Sequence, residues 1–123
     1  MKIGLTATAS ELVTTNNTAA TLGSCFLDVY ATPAMIALME KAASLAVADF
    51  LPATESTVGI SLNVQHSAAT PLGQQVTATA TLVSIEGKKL VFEVTAKDEQ
   101  KTIGQGKHER FIINIEKFLN KLK

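Results

Sequence analysis

Hydrophobic and polar residues alternate along several stretches of this chain with the period of two that is typical of half-buried strands. The alternation is clear at residues 3–10, 58–68 and 90–97. The stretch 75–85 is dense in valine and threonine, which suit strands, and a further strand is predicted at 102–113. Turn-forming residues at 70–73, 86–88 and 98–100 separate these later stretches. The pattern therefore predicts one isolated strand and then four strands joined as an antiparallel meander.

Residues 30–50 follow a different pattern, because apolar residues occupy nearly every side of the helix that this segment would form. Thr32 is a preferred N-cap residue, and Pro33 suits the first helical position. The helix should end at Leu51, because Pro52 disfavours helical geometry in the residue before it. Such a helix must be wrapped by other elements. At about 17 residues with internal charges, it is marginal as a membrane span.

The order of elements indicates an α+β fold in which a curved antiparallel sheet of about five strands wraps around one long central helix. A short amphipathic helix is expected from about residue 114 to the C-terminus, where Ile115, Phe118, Leu119 and Leu122 recur at helical spacing. Neither a repeat nor a linker divides the 123 residues. A single domain over residues 1–123 is therefore predicted.

Charge and cysteine content narrow the classes of function. Eleven basic and eleven acidic residues cancel, so nothing indicates a nucleic-acid groove or an anionic membrane surface. Cys25 is the only cysteine, which excludes an intrachain disulfide and a zinc site built on cysteines. The first ten residues lack the sustained apolar run of a signal peptide. A reducing, cytoplasmic location is expected.

Three residues are candidates for acid–base chemistry. Glu40 lies within the apolar helix, where a carboxylate must be paired or have a raised pKa. His66 is in phase with the apolar row of its strand and should face that helix. A carboxylate that orients an imidazole is a common way to build a general base, and Thr32 would lie at the positive end of the helix dipole.

Each of these residues also has a plainer explanation. Glu40 could form a salt bridge with a lysine or arginine. His66 could be a core or interface histidine with its hydrogen bonds satisfied, and Thr32 could serve as the helix cap and nothing more. His108, with Lys107 and Arg110, could form a strand surface that meets the phosphates of coenzyme A, or simply be solvated. Nothing in the sequence brings Cys25 near His66, so it is interpreted as a small buried hydrophobe.

Three segments carry a resemblance to a known family. They are Tyr30-Ala-Thr-Pro-Ala-Met-Ile-Ala-Leu-Met-Glu40, Val64-Gln-His-Ser-Ala-Ala-Thr-Pro-Leu-Gly73 and Gly106-Lys-His-Glu-Arg110. In this order and spacing they resemble the signatures of hot-dog-fold thioesterases of the fluoroacetyl-CoA thioesterase type. The resemblance implies hydrolysis of an acyl-CoA thioester, here expected to be a short one, at the interface of a homodimer. The sequence does not distinguish a dimer from a dimer of dimers. The resemblance implies no metal, and coenzyme A only as part of the substrate.

The same resemblance assigns roles to individual residues. It places Thr32, Glu40 and His66 in a catalytic triad. It gives Gly59 a backbone contact near the thioester and Arg110 a supporting or ligand-contacting role. Phe26 matches an aromatic of the loop that covers the acyl pocket, whereas Gly23 stands where a second such aromatic is expected. The acyl group itself is not identified by this pattern.

Spacing adds a constraint to these assignments. Thr32 and Glu40 are eight residues apart, about 12 Å along one helix, so their side chains need a bridging group or a second chain. Gly59 and His66 are about 23 Å apart along one strand and can serve one pocket only from different subunits. A composite site is expected. The alternative is a hot-dog dimer that binds an acyl-CoA without turning it over, and a hydratase is less favoured because its paired Asp and His signature is missing.

Overall fold

The computed structural model describes all residues, 1–123, as five strands and three helices. In chain order these are β1 (Thr6–Leu12), α1 (Ala19–Leu22), α2 (Thr32–Ala48), β2 (Glu55–His66), β3 (Gln75–Glu86), β4 (Lys89–Lys97), β5 (Thr102–Asn114) and α3 (Ile115–Asn120). The strands form one antiparallel sheet in the order β1-β3-β4-β5-β2. The predicted α+β order is confirmed. Between β1 and α2, the sheet and the long helix are joined by a segment that contains the single turn α1.

Helix α2 packs its small and flexible apolar side chains on the sheet. Its buried residues recur at helical spacing: Ala34, Met35, Leu38, Met39, Ala42, Ala43, Ala46 and Val47. The alanines let the helix approach the strands closely, while the methionines fill the gaps between them. One side of the helix stays open, because Leu45 is 49% exposed and Ala37 and Lys41 are exposed as well. The complete wrapping expected from the sequence is therefore not achieved within one chain.

The inner face of the sheet supplies the other half of the core. The buried positions of β3 and β4 alternate, as predicted for β4: Val76, Ala78, Ala80, Leu82, Leu90, Phe92, Val94 and Ala96. In β1, Ala7 and Ala9 face the same core, whereas Ile3 precedes the strand and is 61% exposed. A row of apolar side chains thus underlies α2 along its length.

The start of α2 differs from the sequence-based expectation. Ala31, not Thr32, is the N-cap residue, and no side chain caps the helix. Thr32 is already helical, so its hydroxyl is not used on the backbone of the first turn and is directed elsewhere. Pro33 lies in the first turn, where its missing N–H group removes no helical hydrogen bond.

Strand β2 forms one edge of the sheet and contains a bulge. Its register with β5 shifts between Gly59 and Ser61, so that Ile60 is the extra residue and is half exposed. The simple alternation predicted for this strand, with Gly59 on the outer face, is wrong for that reason. Gly59 faces the helix, and His66 remains at the helix-facing end of the strand, as predicted.

Two side-chain contacts fix the segments around α2. Tyr30 is fully buried just before the helix and donates a hydrogen bond to Glu11 of β1. Thr70, which follows β2, donates to Asp98 at 2.8 Å and accepts from the backbone N–H of Tyr30 at 2.9 Å.

At the other end of the chain, Asn114 caps α3 through Lys117 N–H, which confirms the predicted C-terminal helix. None of the three helices is both long enough and apolar enough to cross a bilayer.

Candidate active site

The first residues of α2 and the last residue of β2 bring together two of the three proposed catalytic side chains. Thr32 Oγ1 lies 2.7 Å from His66 Nδ1, a hydrogen-bond distance. The helix directs Thr32 toward the sheet, and β2 ends so that its last inward-facing residue meets the helix terminus. A hydroxyl in contact with an imidazole is the arrangement that nucleophile activation or water activation requires.

A cavity opens beside this pair. Its volume is about 340 Å³, and small side chains line much of it. Thr32 and His66 form part of its wall, together with Ala19, Ser24, Cys25, Val29, Tyr30, Ser67, Ala68 and Ala69. The segment around α1 covers one side of the cavity, and the segment that follows β2 covers another. The Thr32–His66 contact is therefore accessible to a ligand.

The protonation state of the His66 imidazole suits a general base. Burial lowers the pKa of His66 below its ordinary value of 6.5, since desolvation of the charged ring outweighs the opposite effect of the Ala68 backbone. The ring is consequently neutral near pH 7. Its Nε2 atom is buried and has no hydrogen-bond partner within the chain. A buried polar atom of this kind normally has a partner, so this end of the ring has an unmet hydrogen bond.

Glu40 lies in a separate cluster farther along α2. Its Oε2 atom is 3.5 Å from Arg110 Nη1. Within a single chain, Glu40 therefore forms the salt bridge that was its plainer explanation. Within one chain, Glu40 does not reach His66, because the helical rise separates Glu40 from the Thr32 end of α2 by about 12 Å, as the spacing predicted. A contact between two copies of the chain stays a prediction.

Gly59 belongs to the same cluster as Glu40. A methyl group added to Gly59 would overlap Glu40 Oε2, and it would also lie 3.4 Å from Arg110 Nη1. A side chain at this position would therefore displace the carboxylate from its present place. The candidate residues divide into two groups in the chain, with Thr32 and His66 in one and Glu40, Gly59 and Arg110 in the other.

The predicted phosphate-binding surface on β5 is not formed. His108 and Arg110 are buried on the inner face of the sheet, whereas Lys107 is exposed on the outer face. Residues two apart share a face of a strand, so the period of two could already have separated Lys107 from the other two residues. Arg110 has a lowered pKa because of its burial, which the nearby Glu40 carboxylate partly offsets.

Two further residues occupy positions that the sequence did not predict. Cys25 lines the cavity beside His66 instead of being a buried hydrophobe, and its thiol is exposed. Phe26 is fully exposed and lies outside the cavity lining, so in one chain it does not cover the pocket. Both residues lie in an irregular segment between α1 and α2, for which hydrophobic periodicity carries no signal.

Known proteins provide an independent comparison. The family model for fluoroacetyl-CoA-specific thioesterases matches residues 13–116. A fluoroacetyl-CoA thioesterase from Streptantibioticus cattleyicolor is 45% identical over 98 residues, which cover 80% of this chain and 70% of that protein.

Solved structures agree with the family model. A point mutant of the fluoroacetyl-CoA-specific thioesterase in complex with fluoroacetate and CoA superposes with a TM-score of 0.90 and 39% identity, covering 96% of this chain and 99% of that one. A thioesterase superfamily member from Thermus thermophilus gives a TM-score of 0.88 at 27% identity, covering 98% and 92%. The predicted hot-dog fold is confirmed by these neighbours. The chain belongs to the family of fluoroacetyl-CoA-specific thioesterases.

Proposed function

We propose that this protein hydrolyses a short acyl-CoA thioester to the free acid and coenzyme A, with Thr32 and His66 at the reacting centre. The observation that carries the proposal is the 2.7 Å contact between Thr32 Oγ1 and His66 Nδ1 in the wall of an accessible cavity. Family membership supports thioester hydrolysis as the reaction class. In this proposal the acyl group binds in the part of the cavity beside Ala68 and Ala69, whose short side chains leave room for a ligand.

In the proposed reaction, neutral His66 removes a proton from the attacking oxygen, which is that of Thr32 or of a water molecule beside it. The oxygen adds to the thioester carbonyl carbon and gives a tetrahedral oxyanion. The C–S bond then breaks, and the protonated imidazole returns its proton to the leaving thiolate. If Thr32 attacks, water repeats the sequence on the acyl-threonine ester.

The N-terminus of α2 favours the developing negative charge. Thr32 lies in the first turn of a 17-residue helix, where unpaired N–H groups and the positive end of the dipole concentrate. An oxyanion formed on a carbonyl carbon near Thr32 Oγ1 is therefore stabilised more than the neutral thioester that precedes it. Stronger binding in the transition state is the requirement for rate acceleration.

The proposed site is completed by a second copy of the chain. His66 Nε2 is buried without a partner, and Glu40 has its carboxylate 38% exposed beside Gly59. One edge of β2 pairs with β5, and the other is free. A second copy of β2 can pair antiparallel with that edge. A twofold axis midway between Gly59 and His66 then brings each Gly59 opposite the partner's His66, with Glu40 alongside it.

The first experiment measures release of free thiol from a panel of acyl-CoAs with short, branched, halogenated and aromatic acyl groups. Wild type is compared with His66→Ala and Thr32→Ala, and Ser67→Ala serves as the matched control. Ser67 lines the same cavity, but its hydroxyl contacts the carbonyl of Ile103 at 3.3 Å. The proposal expects turnover that collapses in the first two variants only. Turnover that survives in both would place the chemistry elsewhere.

A mixing experiment tests the composite site. His66→Ala and Glu40→Gln are each expected to be nearly inactive, yet co-folded chains should recover roughly a quarter of the wild-type activity. Half of the dimers are then mixed, and each mixed dimer has one intact site. A double variant that carries both substitutions, mixed with wild type, controls for dimer exchange. No recovery in a mixture whose heterodimers are verified by mass would show that both residues act within one chain.

A further inference from the structure

His108 is a buried histidine that the proposed mechanism does not use. It is fully buried on the inner face of β5, and its ring stacks on Phe92 of β4 with centroids 6.3 Å apart and planes inclined by 30°. Burial lowers the pKa of His108, which Arg110 lowers further, whereas the Ser61 carbonyl acts in the opposite direction. A histidine held neutral in an apolar layer is available for hydrogen bonds that need one defined tautomer.

Both ring nitrogens of His108 have partners that fix this tautomer. Nδ1 is 2.9 Å from the backbone carbonyl of Ser61, which only accepts, so Nδ1 carries the proton. Nε2 is 3.1 Å from Arg110 Nη1, which only donates, so Nε2 is the acceptor. A second proton on the ring would face the guanidinium. The contacts therefore require a neutral ring protonated on Nδ1.

Hydrogen bonds to Thr57 and His108 fix the orientation of the Arg110 guanidinium. Its Nε donates to Thr57 Oγ1 at 2.8 Å, and its Nη2 donates to the Thr57 carbonyl at 2.9 Å. The remaining nitrogen, Nη1, is shared between His108 Nε2 and Glu40 Oε2. Because the guanidinium is planar and rigid, fixing three of its contacts determines where Nη1 meets the carboxylate.

The other nitrogen of His108 holds the bulge of β2. Ser61 follows the extra residue Ile60, and the bulge is what turns Gly59 toward Glu40. The hydrogen bond from Nδ1 ties the carbonyl on one side of the bulge to β5. One imidazole thus contacts both structures that confine the Glu40 carboxylate, namely the bulge and the guanidinium.

We propose that His108 is a positioning residue that sets the Glu40 carboxylate for catalysis by accepting from Arg110 at Nε2, while the Nδ1–H bond to Ser61 fixes the required tautomer. The inference rests on the proposed function of Glu40. The charged groups around the ring are Arg110 and Glu109 on β5 and Glu40 on α2, while β2 and β4 contribute Ser61 and Phe92. Of these charged groups, only Arg110 forms a hydrogen bond with the ring, so a proton added to Nε2 breaks the contact that orients the guanidinium.

Three substitutions separate the two functions of the ring. His108→Gln reaches as far as Nε2 and keeps an acceptor for Arg110, His108→Asn keeps a donor for Ser61, and His108→Phe keeps only the volume. With comparable melting temperatures for Gln and Asn, we expect kcat to fall about tenfold or more for Asn and Phe and to stay within about threefold for Gln. The effect should appear in kcat more than in KM. An Asn variant as active as wild type, or a Gln variant as impaired as Phe, would overturn the proposal.

Long-range ¹H–¹⁵N spectra of wild type give a readout that does not depend on turnover. They should show His108 protonated on Nδ1 at neutral pH, and a slowly exchanging Arg110 Nη1–H signal that is lost in Asn and Phe but kept in Gln. A proton on Nε2, or an unchanged Arg110 signal in all variants, would contradict the proposal. If wild type releases no thiol, the proposed function fails, while these spectra still decide whether His108 positions Arg110.

Discussion

The two ends of the candidate site are built in opposite ways. At the N-terminus of α2, Thr32 is exposed, and one nitrogen of His66 has no partner within the chain. Farther along the helix, Arg110 and His108 are buried, and every ring or guanidinium nitrogen has a partner. The open end leaves Thr32 accessible to a substrate and His66 Nε2 free for a second chain, whereas the hydrogen bonds of the closed end fix its geometry. Substitutions at the open end should therefore lower activity more than stability, and substitutions at the closed end should show the reverse.

The largest expected effect is at the open end. His66→Ala should lower kcat by about 10²- to 10⁴-fold, the usual contribution of a general base. The melting temperature should change little, because the ring makes one side-chain hydrogen bond and is only half buried. Thiol release and thermal unfolding of the same preparation check both statements. A large loss of stability would mean that His66 supports the fold and that its effect on activity is indirect.

Arg110→Met should show the reverse balance, with a large effect on stability. The substitution leaves Thr57 O, Thr57 Oγ1 and His108 Nε2 without their donor and removes the cation beside Glu40. Losing several buried partners should lower the free energy of unfolding by on the order of 2–4 kcal/mol. Urea denaturation measures this loss. The matched control is Lys89→Met, whose ion pairs with Glu86 and Glu109 are solvent-exposed and should contribute less than 1 kcal/mol, roughly.

Local signals in the sequence predicted the open end better than the closed end. Pro33 lies in the first turn of α2 as expected, although the helix ends at Ala48, before the Leu51 end predicted from Pro52. The period of two in β2 directs His66 toward the helix terminus. The bulge at Ile60 depends on the register between β2 and β5, strands that lie far apart in the chain. Without that register the sequence could not place Gly59 on the inner face. The same long-range pairing decides which groups surround His108.

Loop residues were the least predictable part of the site. Cys25 and Phe26 are neighbours in an irregular segment, yet the first lines the cavity and the second is fully exposed. Their directions depend on the backbone path between α1 and α2, which hydrophobic periodicity does not describe. The family resemblance assigned Phe26 to the loop that covers the acyl pocket, but it assigned no role to Cys25 and gave no surroundings for either residue in a single chain.

Acid should weaken the fold through both histidines, which is a smaller effect. The pKa values of His66 and His108 are lower in the folded chain than the ordinary value of 6.5, so the unfolded chain binds more protons. Stability should therefore fall as the pH drops below about 6.5, and the loss is complete below the folded-state pKa values. Urea midpoints across this range measure the slope. His108→Gln should flatten it, and an unchanged slope would argue against a neutral, buried His108.

The smallest expected effect concerns the hydrogen bonds of Thr70, which connect the two sides of the cavity and are called the brace below. Thr70 Oγ1 donates to Asp98, and its carbonyl accepts from Tyr30 N–H, so Thr70 links the segment after His66 to the segment before Thr32. Burial alone would raise the pKa of Asp98, but hydrogen bonds from Lys101, Gln100 and Thr70 outweigh it and hold the pKa below its ordinary value. The carboxylate is therefore charged at neutral pH and accepts strongly from Thr70.

Thr70→Val keeps the shape of the side chain and removes this bond. We expect a loss of about 1–2 kcal/mol in the free energy of unfolding, with a drop in kcat smaller than that of His66→Ala. Thr77→Val is the matched control, since its hydroxyl makes a bond of the same length, 2.8 Å, to Ser10 in an exposed setting. Equal losses in the two variants would show that burial does not strengthen the brace. An unchanged kcat would show that Thr32 and His66 keep their contact without it, because their elements are then held by the core alone.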